Sequence, residues 1–152
     1  MPPLGGFFFR GGEMTDRVEI RSGVYRVGRS TKHSAGYDLR CTESFTVTHG
    51  EIAIVSTGVY VRMPVDTMGM VCSRSGLATK GVIVVNAPGI IDPDYAQEVK
   101  VIMTRLIPGS VSFTAGDRIA QLVFAKWLPT TVDANTTFAP ERTGGFGSTG
   151  EK

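Results

Sequence analysis

Five short polar segments, each able to contribute to a binding or catalytic site, follow one another along the 152-residue chain. They read AGYDL, RSGLA, GIIDPDY, GDRIAQ and GGFGSTG, and they occupy residues 35–39, 74–78, 89–95, 116–121 and 144–150. Together they carry acids that can activate water, Arg, Ser and Gly groups that can hold phosphate, and aromatic rings that can stack on a base. This combination is typical of a nucleotide hydrolase whose site is built from loops on a β scaffold.

The third segment carries the strongest candidate for a catalytic acid. Turn signals at Asn86 to Gly89 and again at Asp92 to Tyr95 enclose the two isoleucines 90 and 91, which predicts a tight β-hairpin after a buried strand. Exposed backbone groups of such a hairpin, at Gly89 and Ile91, can pair with the edge of a nucleobase. Asp92 ends the short strand, where its carboxylate can take a proton from water. The alternative is that Asp92 merely caps the turn.

Two further segments offer groups for an anion. Arg74, Ser75 and Gly76 present a cation, a hydroxyl and an unhindered N–H in succession, and a short helix predicted over residues 74–79 would add its first N–H groups. Gln121 alternates with apolar neighbours, so we expect it to face inward and to need a phosphate or water as partner. The alternative for the adjacent Asp117 and Arg118 is an ion pair that stabilises a turn.

The first and last segments are less specific. Asp38 is one acid in an apolar stretch, and the alternative is a carboxylate at a strand edge that caps a turn. Near the end of the chain, Phe146 can close over a flat ring, and groups around it can hold phosphate. These groups are Arg142, Gly147, Ser148 and Thr149. The alternative is a low-complexity end without a role in binding.

Composition excludes several other classes of function. A net charge of +2 without a cluster of basic residues gives no reason to expect a nucleic-acid partner. There is no run of 18 apolar residues and no signal peptide, so we expect no membrane partner. Cys41 and Cys72 lack metal-site spacing and are expected as buried small side chains of an intracellular, cytoplasmic protein; a nuclear location also fits if the source is eukaryotic or viral.

Short β-branched runs bounded by Gly, Pro, Asp and Ser predict an all-β sandwich or jelly roll. The strands are expected at residues 17–20, 25–28, 44–47, 51–56, 59–63, 69–73, 82–86, 98–105, 110–113 and 119–127. Residues 82–85 are continuously apolar, which predicts a strand covered on both faces. We expect one β domain over residues 17–128, a disordered arm at 1–16 and a flexible arm at 129–152.

Taken together, the five segments resemble the five motifs of the trimeric deoxyuridine triphosphatases (dUTPases), in the same order and over nearly the whole chain. The resemblance implies a β jelly roll that forms a homotrimer, with three sites that each draw on all three subunits. It implies hydrolysis of dUTP to dUMP and pyrophosphate with Mg²⁺ on the triphosphate. This reaction keeps uracil out of DNA and supplies dUMP for thymidylate synthesis.

The resemblance also implies a role for each candidate residue. Asp92 would activate the attacking water, Tyr95 would pack on the deoxyribose, and Asn86 with the hairpin backbone would read the uracil edge. Phosphate would be held by Arg74, Ser75, Gly76 and Gln121, while Asp38 would hold Mg²⁺ through water. Phe146 would cover the uracil, and the γ-phosphate would be closed over by Arg142, Gly147, Ser148 and Thr149.

Two departures from the family pattern leave other functions open. Ala96 and Gln97 stand where the family has Arg or Gln and then Gly, and only Thr143 separates Arg142 from Gly144. A deoxycytidine triphosphate deaminase shares the expected fold and is the alternative enzyme. A trimeric binding module without catalysis, which recognises a partner protein, is the third interpretation.

Overall fold

A computed structural model describes residues 15–135 of the chain. The described part contains ten strands and one helical turn, α1 (Ser75–Ala78). The strands are β1 (Glu19–Ser22), β2 (Tyr37–Arg40), β3 (Phe45–Thr48), β4 (Ala53–Arg62), β5 (Thr67–Cys72), β6 (Val82–Val84), β7 (Gly89–Ile91), β8 (Val99–Arg105), β9 (Ser110–Phe113) and β10 (Arg118–Lys126).

The strands form where apolar and polar residues alternate. In β4 the buried positions are Val55, Thr57, Val59 and Val61, and the residues between them are less buried or exposed. Because successive side chains of a strand point to opposite faces, this pattern directs one face of β4 into the core and the other outward. The same alternation sets the orientation of β5 and of most of β8.

Three antiparallel sheets result. One has the strand order β1-β4-β8-β6, the second has the order β2-β10-β5-β7, and the third pairs β3 with β9. Val59, Val99 and Val101 of the first sheet and Leu39 and Leu122 of the second are fully buried in one hydrophobic core. The prediction of an all-β sandwich or jelly roll is therefore confirmed, and α1 is the only helix among residues 15–135.

Some predicted strand boundaries were wrong. Residues 37–40 form β2, where no strand is predicted, because Tyr37 and Leu39 pack inward while Asp38 faces the candidate site. The strand expected at 25–28 does not form, and only Gly28 makes an isolated bridge, to Asp38. The predicted strands 51–56 and 59–63 are one strand, β4, with a bulge between Val55 and Val59.

The hairpin predicted around Pro88 is also corrected. Its two strands do not pair with each other: β6 pairs with β8 in the first sheet, and β7 pairs with β5 in the second. The turn therefore carries the chain from one sheet to the other. Coverage of both faces is wrong for the end of the apolar run, since Val85 is 44% exposed in the single chain.

The two cysteines match their expected character. Cys41 is fully buried, Cys72 is half-buried, and they form no disulfide with each other. Burial raises the pKa of the Cys41 thiol above its usual range, and the thiol donates a hydrogen bond to the Thr114 carbonyl at 3.2 Å.

Two predicted regions lie largely or wholly beyond the described residues. Residues 1–14 of the expected N-terminal arm are outside them, as are Arg142, Phe146, Gly147, Ser148 and Thr149. None of the helical structure between residues 15 and 135 has the length and apolar character needed to cross a bilayer.

Candidate active site

Four of the five polar segments meet on one sheet. In the order β2-β10-β5-β7, strand β2 carries Asp38, β10 carries Gln121, β5 leads into Arg74, and β7 leads into Asp92. The segments are separated in the sequence, and antiparallel pairing makes the strands that carry them neighbours. This sheet is therefore a common platform: Asp38 and Gln121 lie on it, and Arg74 and Asp92 directly follow two of its strands.

At one edge of this platform lies an arginine cluster formed by Ser30, Asp38, Arg74 and Arg118. Arg74 Nε and Arg118 Nη1 each lie 3.5 Å from a carboxylate oxygen of Asp38. Ser30 Oγ donates a hydrogen bond to Asp38 Oδ2 at 3.0 Å. The Asp38 side chain is only 15% exposed, which strengthens these interactions relative to a fully hydrated pair. Two guanidinium groups and one carboxylate leave the cluster with one net positive charge.

Arg74 is fixed at the start of α1. Its Nη1 donates to the Arg118 carbonyl at 3.0 Å, and its own carbonyl accepts the N–H groups of Leu77 and Ala78. The predicted short helix is confirmed, although it is a single turn. Ser75 and Gly76 are exposed beside Arg74, and a Cβ on Gly76 would meet no atom within 4 Å. An anion can therefore approach both residues from solvent.

Gln121 is half-buried between β2 and β5. It lies opposite Asp38 on one side and Cys72 on the other, and its Nε2 donates to the Ser73 carbonyl at 3.0 Å. A Cβ at Gly36 would collide with Gln121 Oε1, so glycine in AGYDL makes room for this amide. The expectation that Gln121 needs a polar partner is met by a backbone carbonyl, and its Oε1 lies beside Gly36.

The ion pair between Asp117 and Arg118, which was the alternative to a role in the site, does not form. Asp117 Oδ2 accepts the Thr114 N–H at 2.8 Å and closes the turn, while Arg118 reaches across to Asp38 and Ser30. Sequence reasoning therefore missed Arg118 and Ser30 as members of the site. The only signal for Arg118 was its place at the start of a strand that also carries Gln121.

At the opposite edge of the platform, β7 offers free backbone. Within the part of the chain that the structure describes, no strand pairs with its outer side, so alternate N–H and C=O groups point away from β5. Ile91 is buried and anchors the strand, while Asn86 and Ile90 are exposed. The Asn86 amide lies over Gly89, where an added Cβ would sit 3.1 Å from Nδ2.

After β7 the chain makes the Asp92 loop, residues 92–98. The Tyr95 N–H donates to the Asp92 carbonyl at 3.1 Å, and Tyr95 Oη donates to the Glu98 carbonyl at 3.0 Å. Asp92 is exposed, and its carboxylate accepts no hydrogen bond from residues 15–135. Its side chain is therefore available to water or to a group supplied from outside this chain.

The arginine cluster and the Asp92 loop are well separated within one chain. Ile91 pairs with Gly69, and Arg74 follows Gly69 by five residues along an extended stretch. At about 3.3 Å per residue, this places them about 16 Å apart along β5. A site that uses both must therefore bring the cluster of one copy to the loop of another, or span the gap with a long ligand.

A magnesium site made by this chain alone is not supported by the donor set. Residues 15–135 hold no group of three metal-binding side chains, and Asp38 is the only acid in the arginine cluster. Both of its oxygens already face cationic or hydroxyl partners. The residues fit a Mg²⁺ ion whose ligands come mainly from phosphates and waters, which is how this ion is usually held.

Comparison with known proteins places this chain in a family. The dUTPase family model matches residues 26–150. The deoxyuridine 5'-triphosphate nucleotidohydrolases of Corynebacterium glutamicum and Rhodococcus erythropolis are 45% and 40% identical, over 64% and 80% of this chain and 67% and 77% of their own lengths.

Solved structures agree. A mutant of the dUTPase of phage 80alpha superposes with a TM-score of 0.77 at 26% identity, and the match covers 89% of this chain and 99% of that chain. With four of the five segments now located at one sheet, the chain belongs to the dUTPase family of dUTP diphosphatases.

Proposed function

We propose that this chain hydrolyses dUTP to dUMP and pyrophosphate by attack of an Asp92-activated water on the α-phosphorus. The observation that carries the proposal is the sheet order β2-β10-β5-β7, since four successive strands each present one of the four described segments. That arrangement supplies a cationic cradle at one edge and a free carboxylate at the other.

Asp92 is the proposed general base. Its exposed carboxylate accepts no hydrogen bond within residues 15–135, so both oxygens are free to take a proton from water. The water oxygen forms a bond to the α-phosphorus, and the bond from that phosphorus to the oxygen bridging to the β-phosphate breaks. Pyrophosphate leaves with the bridging oxygen, and the proton stays on Asp92 until it passes to solvent.

The arginine cluster is the proposed phosphate cradle. Arg74 donates charged N–H groups while Ser75 and Gly76 approach the phosphates from the exposed side of α1. Gln121 would hold the α-phosphate and the attacking water through its amide. A Mg²⁺ ion bound to the triphosphate would neutralise part of its charge, and Asp38 would reach this ion through water.

The edge of β7 is the proposed uracil reader. The outward backbone groups around Gly89 and Ile91, with the Asn86 amide beside them, offer donors and acceptors to the uracil edge. The tight turn at Asn86 would leave little space for the methyl group of thymine. Tyr95 would lie against the sugar and leave no room for a 2′-hydroxyl, so its ring selects deoxyribose.

We infer from the separation of the two halves that two copies contribute to each site, and the assembly that the dUTPase family implies is a homotrimer. About 16 Å along β5 divides the arginine cluster from Asp92 within one copy, so the cradle of one subunit would serve the loop of the next. Exposed apolar side chains, among them Ile54, Val85 and Trp127, are available for contacts between copies. Residues 129–152, with Arg142, Phe146, Gly147, Ser148 and Thr149, would close over the bound nucleotide.

The test is release of pyrophosphate from dUTP, dTTP, dCTP and UTP, with and without Mg²⁺. We expect dUTP to be the only one of the four nucleotides that is turned over fast. We also expect its turnover to depend on Mg²⁺. Equal turnover of the four nucleotides would contradict the proposal. Release of ammonia from dCTP would instead identify a deaminase, which the match to the dUTPase family disfavours.

A further inference from the structure

A carboxylate outside the five segments is built into the support of the Asp92 loop. Glu98 is half-buried and ends the loop, directly before β8. Its Oε1 accepts hydrogen bonds from the backbone N–H groups of Thr57 at 2.9 Å and of Gly58 at 2.8 Å. One side-chain oxygen of Glu98 therefore joins the loop to the middle of β4.

The partner of Glu98 is the bulge in β4. Val55 pairs with Val101 and Val59 pairs with Val99, so four steps along β4 match only two along β8. The two extra residues lift N–H groups out of the sheet ladder. Thr57 is only 1% exposed, and a buried N–H without a partner is costly. Glu98 satisfies that N–H and the adjacent one at Gly58, whose φ of 67° favours glycine.

The backbone carbonyl of Glu98 holds Tyr95. Tyr95 Oη donates to the Glu98 carbonyl at 3.0 Å, while the Tyr95 N–H donates to the Asp92 carbonyl at 3.1 Å. The ring of Tyr95, itself 38% exposed, is thus fixed through a residue that is fixed to the sheet. The intervening Ala96 and Gln97 are both exposed and make no hydrogen bond among residues 15–135, so they cannot take over this support.

We propose that Glu98 is a positioning residue that holds Tyr95 in place and thereby sets the preference for deoxyribonucleotides over ribonucleotides. The inference rests on the proposed function, in which the Tyr95 ring lies where a 2′-hydroxyl would be. The Tyr95 ring can exclude a 2′-hydroxyl by steric clash only if the ring cannot move aside. If the Glu98 contacts to Thr57 and Gly58 are lost, the Glu98 carbonyl and the Tyr95 ring gain freedom, and a ribonucleotide fits.

The test compares kcat/KM for dUTP and UTP in three variants. We expect Glu98→Ala to lower the ratio of dUTP to UTP by about tenfold or more, mainly by raising turnover of UTP relative to dUTP. Glu98→Gln keeps an Oε1 acceptor for both N–H groups and is expected to restore the wild-type ratio. Tyr95→Phe removes only the bond to the Glu98 carbonyl, and it should lower the ratio with the β4 bulge intact.

A double variant separates positioning from a general loss of stability. If Glu98 acts through Tyr95, Glu98→Ala added to Tyr95→Phe should change the ratio by less than Glu98→Ala does alone. Glu51→Ala is the matched control, because this exposed acid lies beside Thr104, at the other end of β8 from Glu98. Thermal unfolding of every variant reports the stability cost separately from the ratio.

The outcomes are distinct. Wild-type protein without preference for dUTP would overturn the proposed function itself. Wild-type protein with that preference, together with a folded Glu98→Ala that keeps it, would overturn only the role of Glu98. If Glu98→Ala does not fold, Tyr95→Phe with an unchanged ratio contradicts the role equally, and so does Glu98→Gln with a lowered ratio.

Discussion

The two halves of the candidate site differ in how far they are organised within a single chain. In the arginine cluster, Asp38 is enclosed by Ser30, Arg74 and Arg118, and each of these side chains has a partner at hydrogen-bond or ion-pair distance. In the Asp92 loop the backbone is held by hydrogen bonds. The carboxylate of Asp92, the candidate general base, accepts no hydrogen bond from residues 15–135.

This difference fits the two kinds of chemistry. A phosphate cradle stabilises charge best when its cations are already oriented before the ligand arrives. A general base must instead keep an open lone pair for the proton that it accepts. The rigid half therefore matches binding, and the open half matches proton transfer.

The largest expected effect comes from replacing the candidate general base in the Asp92 loop. Asp92→Asn should lower kcat for dUTP by at least about 10²-fold, because an amide cannot take a proton from water. Binding of dUTP should persist, since the cradle is intact. Pyrophosphate release gives kcat, and calorimetric titration of dUTP gives affinity.

The control for this change is Asp94→Asn, a neighbouring exposed acid in the same turn. It should retain most of the wild-type turnover. An Asp92→Asn protein with full activity would remove Asp92 from the mechanism.

The next largest effect comes from removing one cation from the arginine cluster. Arg74→Ala should raise KM for dUTP by about tenfold to a hundredfold, since a hydrogen bond to a charged group contributes about 1.5–3 kcal/mol. It also leaves Asp38 with one fewer cationic neighbour. Steady-state kinetics with dUTP measures the effect.

Lys100→Ala is the matched control, because this cation is exposed on β8, in the other sheet. Its KM should equal that of the wild type. A KM for Arg74→Ala within twofold of wild type, on the scale of an exposed ion pair, would exclude Arg74 from the cradle.

The smallest effect concerns the support beneath the arginine cluster. Cys41 follows β2, and its backbone bonds to Asp117 and Gly116 join that strand to the turn before Arg118. Burial raises the thiol pKa, so the folded protein keeps a proton that the unfolded chain releases. This contribution is intact below the ordinary thiol pKa of 9.0 and is lost as pH rises above it.

We therefore expect the free energy of unfolding to fall between pH 8 and pH 10, and to fall less in Cys41→Ala. Urea denaturation of both proteins at the two pH values measures the difference. If the free energy of unfolding changed by the same amount between the two pH values in both proteins, burial of this thiol would not contribute to the pH dependence of stability.

The sequence predicted the central strands well because their side-chain pattern is set locally. Alternation around Val59 and Val101 reflects burial on one face, and the structure has β4 and β8 there. It missed β2, although Tyr37 and Leu39 alternate with Asp38 and Arg40 as in a strand, because the segment is short and its acid was interpreted as part of a site. It also divided β4 at Thr57 and Gly58, where a bulge mimics a turn.

The candidate site was predicted in its residue types but not in its partners. The segments with Asp38, Arg74 and Gln121 were identified from sequence, whereas Arg118 was assigned to a local pair with Asp117. Contacts between residues distant in sequence depend on sheet order, which local patterns do not specify. For the same reason, turn signals around Pro88 did not reveal that β6 and β7 enter different sheets.

The central claim is that the cradle of one copy completes the Asp92 loop of another. The most direct test is to co-express Asp92→Asn and Arg74→Ala subunits with different tags and to purify the mixed oligomer. In an oligomer built from one variant only, every site lacks either the native Asp92 or the native Arg74. In the mixture, random assortment leaves roughly a quarter of the shared sites with both native side chains.

We predict that, at dUTP concentrations well below the wild-type KM, the mixed oligomer regains dUTP turnover of that order, whereas the Asp92→Asn parent keeps at most about 1% of the wild-type rate and the Arg74→Ala parent about 1–10% of it. A mixed oligomer as inactive as its parents would mean that Asp92 and Arg74 act from the same chain, and it would contradict the account.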